Sequence, residues 1–100
     1  MIRNFNTKRD NSSFDEATIE AVWRKGKIGL THSASVRKDV CGASMQRTKH
    51  GKTEQFGWEI DHIKPVALGG MDDLNNLQPL QWENNRHKGD DPRLSCKIRS

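Results

Sequence analysis

The stretch that most limits what this chain can fold into is a short alternation that runs into a proline. Phe56, Trp58 and Ile60 alternate with Gly57, Glu59 and Asp61, the period of a strand with one buried and one polar face. Pro65 then removes a ladder donor, and Gly69-Gly70 permits a sharp reversal. The strand, expected over 55–63, therefore stops near Asp61-His62 and gives way to a long loop. Upstream, Val40 to Arg47 reads as its partner strand, with Thr48 to Lys52 as the turn of a hairpin. Downstream, Leu77 to Leu80 is a brief apolar strand. Gln81 to Lys88 follows as a short helix, with Gly89 as its stop and Pro92 beyond.

The N-terminal half is organised differently. Residues 1–12 are polar and unpatterned and read as a flexible arm. Ser13-Phe14-Asp15-Glu16 has the form of a capping box. Ile19, Val22 and Trp23 then recur at helical spacing, so a helix is expected over about 13–25, ended by Gly26 and anchored by Trp23. Residues 26–39 read as a loop with a basic flank. The chain thus divides into the arm, a helix and basic strand/loop region over 13–52, a core over 53–92 and a basic tail over 93–100, all within one domain. The fold class expected is α+β. Only 32% of the 100 residues are apolar and the mean hydropathy is −0.93. The core must be small, which points to fastening by a metal, a partner chain or nucleic acid. No run approaches a membrane span, and the first residues do not resemble a signal peptide. Cys41 and Cys96 form neither a CxxC pair nor a disulfide framework, so a reduced, cytoplasmic setting is expected, with Cys41 as a small buried residue.

Charge is unevenly spread. Residues 1–52 carry eleven Lys/Arg against five Asp/Glu, and residues 53–100 carry six against eight, so the net +4 hides a basic half and an acidic half. Basic side chains neutralise phosphates, whereas carboxylates hold hard cations. Phosphodiester hydrolysis needs a base that works near neutral pH, the range of histidine. It also needs positive charge on the phosphoryl group and the leaving oxygen, which a divalent cation supplies. Asp61-His62 at a strand end, Asn76 at the end of the loop and Asn85 on the last helix are the residue types for that chemistry. On a regular strand Asp61 and His62 would point to opposite faces, so both acting together requires the strand to end or bulge there.

The string Glu59-Ile60-Asp61-His62-Ile63-Lys64-Pro65, then Gly69-Gly70, Asp73-Leu74-Asn75-Asn76-Leu77-Gln78-Pro79-Leu80 and Asn84-Asn85-Arg86-His87-Lys88-Gly89-Asp90 closely resembles the HNH endonuclease family over about residues 57–90. The resemblance implies a ββα-metal (His-Me finger) core, to which this chain adds an N-terminal helix and an extra β-hairpin. It implies that His62 is the general base, that Asp61 and Asn85 hold a divalent cation, and that Asn76 braces the loop and helps orient the histidine. It also implies cleavage to 5′-phosphate and 3′-hydroxyl ends.

Two departures from the family pattern matter. The last motif position is Asn85 rather than histidine; an amide oxygen is a harder ligand than imidazole and favours magnesium, with manganese next, over zinc. His87 is a weaker competitor for that place. The paired CxxC motifs of many relatives are missing, so no structural zinc is expected; Cys41, His50 and Cys96 as a zinc site is a minor alternative. Lys88, within the motif, is expected to contact phosphate, and Arg86 and Lys64 stand evenly between phosphate contact and solvated charge. Trp58 and Trp82 read as core rather than as base-stacking groups, and His32 and His50 as exposed loop residues. The function expected is metal-dependent hydrolysis of DNA, with RNA an open alternative substrate. Nothing reads bases, so specificity should be low or supplied by a homodimer or a partner protein. A non-catalytic nucleic-acid-binding module and a nuclease toxin or effector domain are the competing readings.

Overall fold

The computed structural model describes residues 3–29 and 34–100; His32 lies outside them. Among the described residues the fold is α+β, with two α-helices and two antiparallel strand pairs. In order these are α1 (Glu16–Trp23), β1 (Val36–Lys38), β2 (Ser44–Gln46), β3 (Trp58–His62), β4 (Leu77–Gln81) and α2 (Trp82–Lys88). β1 pairs with β2 and β3 with β4. No described helix is long and apolar enough to cross a membrane.

The expected hairpin between 40–47 and 55–63 is therefore corrected. β3 takes its partner from beyond the loop, from Trp58 opposite Gln81 to His62 opposite Leu77. β2 turns back onto β1, inside the segment expected to be loop. β3 also begins later than its alternation suggests. Phe56 sits at φ 65°, outside the strand region, and is 40% exposed. A side chain on Gly57 would overlap the Lys52 carbonyl. α1 is shorter than expected and is capped by Asp15, whose carboxylate accepts the Thr18 N–H at 2.8 Å, rather than by Ser13. A carboxylate at this position also faces the positive end of the helix dipole.

The β3–β4 pair lies between the two helices. Trp58, Ile60 and His62 share one face and Glu59 and Asp61 the other. On the first face the Trp23 ring packs 5.2 Å from Trp58 and the Phe14 ring 6.1 Å from His62. Ile19, Val22, Met45 and Leu77 complete this core. On the second face α2 meets the strand through polar groups. α2 follows β4 without a connecting loop, because Gln81 both ends the strand and caps the helix, its side-chain oxygen accepting the N–H groups of Glu83 and Asn84. The positions of α2 side chains are thereby tied to the register of the sheet. Trp82, expected in the core, is only half-buried.

Two expectations about the rest of the chain change, and the arm makes a contact with the sheet. The Asn6 side-chain oxygen accepts the Ile60 N–H at 2.8 Å, supplying an acceptor on the edge of β3 that faces away from β4. His50 is half-buried against Trp58, ring centroids 4.8 Å apart, and meets the same Asn6 oxygen at 3.0 Å. Cys41 and Cys96, expected as isolated thiols, are joined in a disulfide, which also removes them as zinc ligands. Beside it Asp39, 1% exposed, accepts the N–H groups of Cys41, Ala43 and Gln81 and the Asn84 amide. The Asn84 oxygen in turn accepts the N–H groups of Lys97 and Ile98. This buried carboxylate and amide couple the β1–β2 turn, the start of α2 and the C-terminal tail.

Candidate active site

Asp61 and His62 close β3, and the one-to-one register up to Leu77 shows no bulge. The strand simply ends at His62, so the two side chains leave it on opposite faces. They nevertheless line one cleft of about 430 Å³ along the free edge of β3, together with Asn85, Pro65, and Arg3 and Phe5 of the arm. Of the four residues expected to carry the chemistry, Asp61, His62 and Asn85 meet here.

Asn76 stands apart and acts on the loop. Its oxygen accepts the Lys64 N–H at 2.8 Å, and its amide donates to the carbonyls of Lys64 and Met71. Its own carbonyl accepts the Ile63 N–H. One side chain thus clamps both ends of the segment between His62 and β4. Gly69, at φ +93°, supplies the left-handed turn, while Gly70 allows close approach: a Cβ there would fall 1.7 Å from the Lys64 carbonyl oxygen.

Each cleft residue is held by groups that periodicity does not reveal. The His62 ring, 6% exposed, places Nε2 2.8 Å from Oδ1 of Asp72 in the loop. Asp61 accepts from the Gln78 amide at 2.9 Å, directly across the ladder, and from Lys88 Nζ at 3.2 Å. Burial pushes the Asp61 carboxyl above its ordinary range, and the Gln78 and Lys88 contacts only partly offset this. On α2, Asn85 donates its amide hydrogen to Glu59 Oε1 at 2.9 Å. Ionised Glu59 is acceptor-only, so the Asn85 nitrogen faces it and the amide oxygen is left for the cleft. Arg86 pairs with the same buried Glu59 at 2.8 Å, and its guanidinium lies 4.4 Å from the centre of the Phe5 ring.

The basic residues are therefore placed differently from expectation. The Lys88 ammonium is buried on Asp61 and the His62 carbonyl, and Arg86 is engaged with Glu59. Lys64 is exposed, and Arg86 keeps 41% of its side chain exposed while paired with Glu59. His87 turns to Ser95 Oγ at 3.1 Å and does not line the cleft. Glu59, Asp72, Gln78 and Asn6 were not singled out from the sequence. Gln78 opposite Asp61 follows once the strand pairing is known; the other three have no local signature.

Residues 40–91, more than half of the chain, match the family model described as HNH endonuclease. No curated protein and no solved structure matches.

Proposed function

The chain belongs to the HNH endonuclease family, and from that membership we propose a metal-dependent endonuclease that hydrolyses DNA phosphodiester bonds with His62 as general base. The family acts on nucleic acid and generally uses a divalent metal ion. The observation that carries the finer reading is the shared cleft: a buried histidine with a carboxylate partner, a buried aspartate and an oriented asparagine converge on one concave surface. In this reading β3, β4 and α2 form the ββα core.

The donor set fits a hard cation. Asp61 and Asn85 offer oxygens from a strand end and a helix, and Glu59 fixes which end of the Asn85 amide is presented. Among the described residues no group of three or more His, Cys, Asp or Glu is arranged to hold a metal. In this reading the protein part of the site is two oxygens, the sparse arrangement that suits magnesium completed by water and substrate phosphate. When bound, the cation would compensate charge on the phosphoryl and leaving oxygens.

The chain's own residues do the rest. His62 accepts the proton of the attacking water. Lys88 and Gln78 hold the Asp61 carboxylate in one orientation and offset part of the cost of burying it. Asn76 keeps the loop closed behind the histidine. Lys64 and the exposed part of Arg86 are basic groups available to meet a phosphate. Relaxation of supercoiled plasmid tests this reading: nicking with magnesium or manganese, stopped by chelator and lost in Asp61→Ala and Asn85→Ala, is expected. Binding of plasmid without nicking at any metal concentration would instead support a non-catalytic nucleic-acid-binding module.

A further inference from the structure

We infer that Asp72 is a positioning residue for this reaction, fixing His62 as the Nε2–H tautomer and leaving Nδ1 as the atom that accepts the proton. The inference rests on the reading of His62 as general base. Its physical warrant is the donor and acceptor inventory. An ionised carboxylate only accepts hydrogen bonds, so an imidazole nitrogen 2.8 Å from Asp72 Oδ1 must carry its hydrogen. In a neutral ring the second nitrogen then holds a lone pair. The contact from Asp72 is the one hydrogen bond to the His62 ring among the described residues.

Asp72 itself is held independently of the histidine. The Arg9 N–H of the arm donates to both carboxylate oxygens, at 3.1 and 3.3 Å. The neighbouring Met71 carbonyl is held by the Asn76 amide. The carboxylate is thus fixed from the arm and from the loop, and its side chain is 35% exposed, so it can be altered without opening the core. This also gives the arm a role: its residue 9 main chain braces the group that orients the base.

The test combines a spectroscopic and a kinetic readout on the full chain. Long-range 1H–15N spectra of the histidine rings, recorded with the imidazoles neutral, are expected to show His62 with hydrogen on Nε2. In Asp72→Asn the amide can accept or donate, so a mixture of tautomers is expected. The kcat for plasmid nicking should fall roughly 10–100-fold with KM within about twofold. A wild-type His62 protonated on Nδ1 overturns the inference without any variant having to fold. So does an Asp72→Asn protein that nicks at the wild-type kcat. Wild-type protein that carries the Nε2–H tautomer but never nicks DNA overturns the nuclease reading, and the catalytic part of the inference with it.

Discussion

Asp61 and His62 are adjacent in sequence and face opposite ways, and each is fixed by partners far along the chain. Their residue types, together with Asn76 and Asn85, were legible from the motif and its spacing. Their partners were not. Glu59 reads as an ordinary outward position of an alternating strand, and Asp72 as one of two loop carboxylates. Carboxylates and amides that hold other side chains carry no period, so only the folded geometry identifies them. At this scale pH is a direct probe of buried groups. Burial lowers the pKa of His50 below its ordinary value of 6.5. The unfolded chain therefore binds its proton first, and the His50 contribution to stability is present above about pH 6.5 and is lost as pH falls through the lowered value. Asp61 has the opposite sign: its raised pKa means that acidification relieves a buried charge. From pH 7.5 to 5 the urea midpoint of the wild type should fall relative to that of His50→Gln, which removes the His50 contribution and leaves that of Asp61 in both.

Among the elements, α2 and β4 were placed almost as expected, because Gly89 and the Gln81 junction mark their ends in the sequence. β3 was found but given the wrong partner. A hairpin with the nearer strand satisfies the local pattern equally well, and nothing in the alternation of residues 56–61 distinguishes a neighbour at 40–47 from one at 77–81. The contact of the arm with β3 was not legible because Asn6 contributes a single side-chain acceptor and no apolar pattern. Removing it should be costly for its size. Asn6→Ala leaves the Ile60 N–H without its acceptor, and a loss of about 1–3 kcal/mol in denaturant unfolding is expected, with faster amide exchange at Ile60. The two loop glycines should respond unequally. Gly69→Ala places a side chain at positive φ, a strain of about 1 kcal/mol. Gly70→Ala would drive a Cβ into the Lys64 carbonyl, which the loop cannot absorb without moving Asp72. Thermal midpoints and nicking rates of the two variants should rank Gly70→Ala well below Gly69→Ala.

For the whole molecule, the shortage of apolar residues is met by polar fastening: the Asp39 and Asn84 network, the arm on the edge of β3, and the disulfide. The pairing of Cys41 with Cys96 was illegible because neither cysteine lies in a recognisable spacing; the tail returns to the β1–β2 turn only through tertiary contacts. Their separation of 55 residues makes the bond an effective constraint on the unfolded chain, worth about 4 kcal/mol by loop-closure entropy. Such bonds persist in oxidising surroundings. Protein purified without reductant should show no free thiol when denatured, and Cys41→Ser/Cys96→Ser should unfold at a lower denaturant concentration. The central claim concerns the cleft and is tested most directly by single-turnover strand scission on an end-labelled DNA duplex with magnesium, comparing the wild type with His62→Ala. The wild type should yield 5′-phosphate ends, and His62→Ala, still folded and still binding the duplex, should be slower by about 10²–10⁴-fold; scission by His62→Ala at the wild-type rate would contradict the account.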